Sequence, residues 1–166
     1  GLEGVQIREN DLRPPAAGEA RIRVLAAPVC QDDIAIRRGN RPFLRKPPFV
    51  PGYACIGVVD AVGEGVEETA VGDRVAALTQ FGSHAEYLYW EAGKLVPVPL
   101  SINPAAATTL VLNYLVAYQI LHRVARVQAG DRALIVGASG GVGTAFLQLG
   151  QLAGLTMYGL ASAGKH

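Results

Sequence analysis

The chain has 166 residues, with 15 Lys and Arg against 14 Asp and Glu, and half of its residues are apolar. This length is enough for one ordinary domain, or somewhat more, with a buried core. The balance of charges excludes a strongly charged, intrinsically disordered chain. A formal net charge of +1 gives no electrostatic reason to expect nucleic acid or an anionic membrane surface as a partner.

The cysteine content and the N-terminal residues are the features that could indicate the cellular compartment of the protein. Cys30 and Cys55 are too few for a disulfide framework, and no CxxC pair is available for a structural zinc site. The chain begins without a basic and then apolar leader, so we expect no signal peptide. These features do not decide the redox compartment, and a reducing cytoplasm is the default expectation.

The first hundred residues predict a small, irregular, mostly antiparallel β-barrel. Charged and apolar residues alternate over Arg21–Leu25, as in a strand with one solvated face. Tyr53–Val62 is an apolar, β-branched run between Gly-rich turns, which predicts a buried strand. We also predict strands after the turn at Gly72–Asp73 and over His84–Trp90, and a short helix over Ile34–Arg38.

The composition changes near Asn103, which suggests a first domain of residues 1–103 and a second domain of residues 104–166. Asn is a good helix N-cap and Pro suits the first helical position, so a long helix is predicted over Ala105–Ala125. No charged residue occurs between Leu95 and Leu121, but the part after the last proline is shorter than the about 20 residues of a membrane span. We therefore expect a buried core helix.

The rest of the chain predicts a β-α-β unit of about 30 residues, the size of one mononucleotide-binding unit. Its elements are a strand at Ala133–Val136, a helix over Gly141–Ala153 and a strand over Leu155–Leu160. Together with the strand-rich first domain, this unit makes the predicted fold class mixed α/β.

A glycine-rich segment joins the first strand of this unit to its helix. Ala138, Gly140 and Gly143 occupy the three positions of the pattern A-x-G-x-x-G. The first permits a tight turn, the second lets backbone N–H groups approach a pyrophosphate, and the third lets the helix pack closely on the strand. With the positive end of the helix dipole, the segment predicts dinucleotide binding, and a purely structural turn is the alternative. The binding candidates are Ala138, Ser139, Gly140, Gly141, Val142 and Gly143.

Several stretches occur in a characteristic order along nearly the whole chain: Pro14–Val24, Asp33–Gly39, Pro51–Val59, Gly72–Val75, Ala85–Tyr87, Ala117–Tyr118 and Ala138–Gly143. In this order they resemble the medium-chain dehydrogenase/reductase superfamily, specifically its zinc-independent quinone oxidoreductase and enoyl reductase branch. The resemblance implies a GroES-like β-barrel followed by the first β-α-β part of a Rossmann fold. Members of that family are much longer and complete a larger sheet, so we expect this chain to be truncated.

The resemblance also allows a test for catalytic zinc, which zinc alcohol dehydrogenases of the superfamily hold with a Cys, a His and a second Cys. Cys30 matches the first ligand position, but Tyr53 stands where the His is expected and Leu112 where the second Cys is expected. Because a catalytic zinc needs three protein ligands and an open position, we predict no metal site. Cys30 is then a buried or pocket-lining thiol.

Without a metal to polarise a carbonyl, hydride transfer to a conjugated C=C bond or a quinone relies on the cofactor and on positioning. The resemblance therefore implies an NADPH-dependent reductase with an enoyl or quinone acceptor, hence a small-molecule substrate. Two alternatives stay open. One is a catalytically silent, truncated or assembly domain, and the other is an enoyl reductase domain cut from a multidomain synthase.

Cys30, Asp33 and Tyr53 are the candidate catalytic residues that the resemblance implies. Tyr53 could donate a proton to the acceptor or pack as an aromatic of the barrel. Asp33 could act in the site or orient a loop through backbone N–H groups. Asn113 interrupts an apolar helix and needs a hydrogen-bond partner, which could be the cofactor, the substrate or a neighbouring backbone carbonyl.

The end of the second Rossmann strand predicts NADP rather than NAD. NAD-specific units carry an acidic residue there that binds the ribose hydroxyls, whereas no Asp or Glu occurs from Leu155 to His166. Ser162 and Lys165 can instead donate to a 2′-phosphate. The alternative is a polar turn with a solvated lysine.

A two-stranded parallel unit leaves its strand edges and one helix face uncovered. We therefore expect a homo-oligomer, or further chain that completes the sheet.

Overall fold

The computed structural model describes residues 4–40 and 46–165, and the side chain of Lys165 is outside the described part. The chain divides into two compact units, Gly1–Thr108 and Thr109–His166. The domains predicted from composition, 1–103 and 104–166, stay a prediction.

The first unit contains five strands, which are β1 (Glu19–Ala26), β2 (Ala54–Val62), β3 (Arg74–Leu78), β4 (Tyr87–Glu91) and β5 (Val96–Pro97). They form one antiparallel sheet in the order β4-β1-β2-β3-β5. A helix, α1 (Gln31–Arg37), lies between β1 and β2 in sequence, and a 3₁₀ turn over Ala92–Lys94 connects β4 to β5.

The alternation in β1 produces the predicted pattern of one buried and one solvated face. Ile22 is fully buried, and it lies opposite Val59 of β2 and Leu88 of β4, whereas Arg23 is exposed. Each such fully buried aliphatic side chain contributes about 1.5–3 kcal/mol. The core of the sheet consists of Ala20, Ile22, Cys55, Val59, Val75, Ala77, Leu88 and Ala92.

The starts of β4 and α1 each differ from the sequence prediction by three residues. β4 begins at Tyr87 rather than at His84, because His84 and Ser83 donate backbone hydrogen bonds to Pro51 and Gly52 instead of joining the sheet. The helix α1 begins at Gln31, before the predicted start at Ile34, because the Asp33 side chain accepts a hydrogen bond from the Cys30 N–H at the N-cap.

The long helix Pro104–Val124 begins where the sequence predicts. Asn103 Oδ1 accepts hydrogen bonds from the backbone N–H groups of Ala105 at 2.9 Å and Ala106 at 3.3 Å. Two stretches of π-helix, in which the backbone bonds are of the i→i+5 type, interrupt it. The segments are α2 (Pro104–Thr109), π1 (Leu110–Tyr114), α3 (Leu115–Tyr118) and π2 (Gln119–Val124).

This helix is less buried than the sequence prediction of a core helix requires. Only 22% of its most apolar window is buried, and Val124 is 75% exposed. Leu110, Leu115 and Ile120 are exposed as well, whereas Ala117 and Leu121 are buried. By length and composition alone the helix could cross a membrane.

The β-α-β unit is confirmed, and with it the mixed α/β class. It consists of β6 (Arg132–Val136), α4 (Gly141–Leu152) and β7 (Thr156–Leu160). The two strands are parallel, and their register pairs Arg132 with Thr156 and Val136 with Leu160. Leu134 and Val136 are 65% and 75% exposed, so one face of this strand pair is open in the structure.

Candidate functional site

The Asp33 carboxylate connects the start of α1 to the loop before β2. It is buried, and Oδ2 accepts hydrogen bonds from the Cys30 backbone N–H at 2.8 Å and from the Cys30 thiol at 3.0 Å. Oδ1 accepts a hydrogen bond from the Gly52 N–H at 3.1 Å. Of the two roles predicted for Asp33, this geometry is that of the loop-orienting one, and a catalytic role for Asp33 stays a prediction.

The pKa of both cysteine thiols is raised above its ordinary value. Burial raises the pKa of the partly buried Cys30, and its hydrogen bond to Asp33 raises that pKa further. Burial in β2 raises the pKa of Cys55 to about 11. Since the thiolate is the reactive nucleophile, neither cysteine is activated as a nucleophile at neutral pH.

We expect Cys30 to react with iodoacetamide more slowly than a free cysteine at pH 8, because its raised pKa lowers the thiolate fraction. The rate should rise as the pH approaches that raised pKa. Asp33→Asn removes the carboxylate charge that favours the thiol, so we expect faster alkylation at the same pH. Mass spectrometry of the two cysteine peptides measures both rates.

Cys55 provides the internal control, because it is fully buried and reacts only when the unit opens. Faster modification of Cys30 with unchanged modification of Cys55 supports the assignment. A wild-type Cys30 rate equal to that of free cysteine contradicts it.

The backbone on both sides of Tyr53 is held by residues that follow β3. Thr79 Oγ1 donates to the Gly52 carbonyl at 2.9 Å, and the Tyr53 carbonyl accepts from the N–H groups of Thr79 at 2.8 Å and Gln80 at 3.0 Å. Ser83 Oγ donates to the Ala54 carbonyl at 2.9 Å, and the Ser83 side chain is completely buried. Tyr53 itself is half-buried. Its phenol is thus carried on a backbone segment with little freedom to shift.

Sequence reasoning missed Thr79, Gln80 and Ser83. Gln80 has a φ of 62°, which is uncommon for a residue other than glycine. The signal available in the sequence was only Pro51–Gly52, interpreted as a turn, and a turn does not identify partners so distant along the chain.

In the second unit, the glycine-rich segment forms a tight turn between β6 and α4. The N–H groups of Gly137 and Ala138 both donate to the Leu160 carbonyl, at 2.9 and 3.1 Å, and Gly140 donates to the Gly137 carbonyl at 3.0 Å. Gly140 is the N-cap of α4. The first N–H groups of a helix have no acceptor within the helix, so the turn presents donors at the positive end of α4.

The structure corrects one role within this segment. The residue in the left-handed conformation is Gly137, with a φ of 78°, and not Ala138, to which the pattern assigned the tight turn. Ala138 is buried, and its Cβ lies 2.8 Å from the position that a Cβ on Gly159 would take. The sequence pattern misplaced this role because it fixes spacing rather than backbone angles.

Gly143 has the close approach that the pattern predicts. A Cβ at Gly143 would lie 2.3 Å from the Gly137 carbonyl oxygen and 2.8 Å from Ala138 Cα. Only a residue without a side chain therefore lets α4 approach the turn. Such a turn, with the helix N-terminus against it, fits the pyrophosphate of a dinucleotide.

The other cofactor candidates lie in the same unit. Asn113, in π1, faces the start of α4, since a Cβ at Gly141 would lie 2.5 Å from Asn113 Nδ2. Ser162 is exposed and follows β7. Lys165 ends the 3₁₀ turn Ala163–Lys165, and its side chain is outside the described part.

Over residues 4–40 and 46–165, no three side chains of His, Cys, Asp or Glu are grouped so as to hold a metal ion. The absence of a metal site stays a prediction.

Comparison with known proteins finds one family model, the alcohol dehydrogenase GroES-like domain, which matches residues 16–100. The mouse synaptic vesicle membrane protein VAT-1 homolog-like is 32% identical over 167 residues, covering 100% of this chain and 40% of the mouse protein. Rat quinone oxidoreductase is 32% identical, with 98% of this chain and 50% of the rat protein covered. A mycocerosic acid synthase-like polyketide synthase of Mycobacterium tuberculosis is also 32% identical, over 99% of this chain and 8% of its own. The chain thus spans half or less of these relatives.

Solved structures of such proteins are also similar to this chain. The human synaptic vesicle membrane protein VAT-1 homolog-like protein has a TM-score of 0.94 at 33% identity, over 100% of this chain and 54% of its own. The CurK enoyl reductase has a TM-score of 0.89 at 28% identity, over 99% and 52%. A mycobacterial protein in complex with NADPH has a TM-score of 0.84 at 31% identity, over 95% and 49%. Since the family model spans more than half of the chain, the chain belongs to the alcohol dehydrogenase GroES-like domain family, within the medium-chain dehydrogenase/reductase superfamily.

Proposed function

We propose that the protein is an oxidoreductase that uses NADPH to reduce a conjugated C=C bond or a quinone without a metal ion. The observation that carries this proposal is the turn at the N-terminus of α4, where Gly143 allows the helix to approach within contact of the Gly137 carbonyl. Relatives named quinone oxidoreductase and enoyl reductase, and a relative solved with NADPH, support the same chemistry.

The residues of the second unit supply the binding groups. Backbone N–H groups of the glycine-rich turn and of the first turn of α4 donate to the pyrophosphate. Ser162 and Lys165 bind the 2′-phosphate, Ser162 through its hydroxyl and Lys165 through its charge. When bound, NADPH supplies the hydride, so the protein needs to provide only orientation and a proton source.

On the acceptor side, we assign proton donation or hydrogen bonding to the Tyr53 phenol. Asp33 acts as a positioning residue, since its carboxylate holds the Gly52 N–H next to Tyr53. The Cys30 thiol stays protonated and uncharged beside Asp33, so it lines the site as a neutral group.

Further polypeptide, or a second copy of the protein, completes the parallel sheet in this proposal. The exposed apolar residues of β6 and β7 support it, because parallel sheets are normally covered on both faces. Leu134, Val136, Tyr158 and Leu160 are all at least half exposed. The proposed compartment is the cytoplasm.

We expect the protein to bind NADPH roughly ten- to hundredfold more tightly than NADH, because one contact to a charged group contributes about 1.5–3 kcal/mol. Lys165→Ala should remove most of this preference, whereas Lys94→Ala, which removes an equal charge from the first unit, should leave it unchanged. Fluorescence titration with both cofactors at fixed ionic strength measures the ratio. Equal affinities for the two cofactors in the wild-type protein would falsify the preference.

The activity itself is tested by following NADPH oxidation with a quinone and with an enoyl thioester as separate acceptors. Oxidation that requires one acceptor supports the proposal and identifies the acceptor class. Tight NADPH binding without oxidation by either acceptor favours the catalytically silent domain instead.

A further inference from the structure

The side-chain amide of Asn113 lies at the N-terminus of α4. Nδ2 is close enough to the Gly141 backbone that a Cβ there would be 2.5 Å from it, while Oδ1 is further away, at 3.8 Å. Gly141 is the first residue of α4, directly after the N-cap Gly140. The donor end of the amide therefore faces the part of the helix that also presents backbone donors.

The Asn113 amide N–H and the backbone N–H groups at the start of α4 are all hydrogen-bond donors, so they cannot bond to one another. Asn113 is half-buried, and its amide makes no hydrogen bond with the residues that the structure describes. The neighbouring backbone carbonyl that the sequence left open as a partner is thus not found within that part of the chain. An amide N–H beside the positive end of a helix dipole matches an acceptor that carries negative charge.

The π-helical conformation of this part of the long helix explains why Asn113 lies beside the start of α4. Asn113 belongs to π1, and the next residue, Tyr114, donates from its hydroxyl to Gln148 Oε1 of α4. A π-type turn contains one residue more than an α-helical turn, which rotates the following residues by about 100° relative to an uninterrupted α-helix. π1 thus brings two consecutive polar residues of an apolar helix against α4.

We infer that Asn113 binds the cofactor pyrophosphate, donating from Nδ2 to a phosphate oxygen beside Gly141. This inference rests on the proposed function and assigns Asn113 to the pyrophosphate rather than to the nicotinamide. The small size of Gly141 is part of the arrangement, because a side chain at that position would displace the amide.

The test compares NADPH with 2′-phospho-ADP-ribose, which has the pyrophosphate and lacks the nicotinamide. We expect Asn113→Ala to weaken the binding of both ligands about tenfold. Asn113→Asp should weaken both further, because a carboxylate repels the phosphate. Tyr114→Phe removes a hydrogen bond between the same two helices but no donor at the turn, so its affinities should match the wild type.

Isothermal titration gives the affinities, and thermal unfolding of each variant shows whether the fold is retained. If Asn113→Ala weakens NADPH binding but leaves 2′-phospho-ADP-ribose binding unchanged, the amide contacts the nicotinamide and the inference is overturned. Unchanged binding of both ligands overturns it as well, while the proposed function stands. If the wild-type protein binds neither ligand, the proposed function fails, and the inference fails with it.

Discussion

Gly52→Ala is expected to lower the free energy of unfolding of the first unit by about 3 kcal/mol. The φ of Gly52 is 108°, a conformation that side chains disfavour, and its Cβ would lie 2.4 Å from both the His84 backbone nitrogen and Ser83 Oγ. A backbone atom cannot rotate away, so the loop after β3 has to move. That movement also disturbs the hydrogen bonds to Asp33 and Thr79 that hold the segment before Tyr53.

Urea unfolding followed by the fluorescence of Trp90, the single tryptophan, measures this change in the correct unit, because Trp90 lies in β4. Gly65→Ala is the matched control. Its φ is 76°, but a Cβ there meets nothing within 4 Å, so the variant loses only the conformational contribution, about 1 kcal/mol. Equal losses for the two variants contradict the steric account of Gly52.

Gly143→Ala is expected to reduce NADPH affinity by about tenfold or more and to destabilise the second unit by up to about 2 kcal/mol. Two effects oppose each other here. Ala is better than Gly in a helix by about 1 kcal/mol, but its Cβ would lie 2.3 Å from the Gly137 carbonyl oxygen. Overpacking against backbone costs about 1–3 kcal/mol, so the steric effect prevails and α4 moves away from the turn.

Gly150→Ala, in the same helix, is the control for this prediction. Its Cβ would meet Met157 Sδ at 2.3 Å, and a flexible methionine side chain can rotate away at small cost. Thermal unfolding by circular dichroism and NADPH titration of both variants measure the two effects. If Gly143→Ala binds NADPH as tightly as Gly150→Ala does, the close approach of α4 to the turn is irrelevant to binding.

The strands and the helix starts of this protein could be predicted because their causes are local. Alternation over Arg21–Leu25 is enough to specify a half-buried strand, and the Asn103 side chain alone satisfies the first N–H groups of the long helix. The β-α-β unit followed from apolar runs on either side of a glycine-rich turn. In each case the relevant residues are adjacent or a few positions apart.

The features that could not be predicted depend on contacts between residues that are far apart in the sequence or on backbone geometry that local patterns do not indicate. Thr79 and Ser83 hold carbonyls of the Gly52–Ala54 segment, and nothing near either residue in sequence indicates these partners. The π stretches have no sequence signature, because an i→i+5 bond is compatible with ordinary helix-forming residues. For the same reason, the sequence predicts Asn113 as a polar interruption of the helix but does not predict its position beside Gly141.

The strand order of the five-stranded sheet determines when each strand finds its partners during synthesis on the ribosome. β1 lies between β2 and β4 in the sheet, yet β4 is synthesised long after β2. One edge of β1 therefore has no partner while the intervening loops are translated, and an open edge can pair with another chain. Arg21 and Arg23 place positive charges on one face of this strand, and we expect these charges to disfavour pairing with another nascent chain until Tyr87–Glu91 is synthesised.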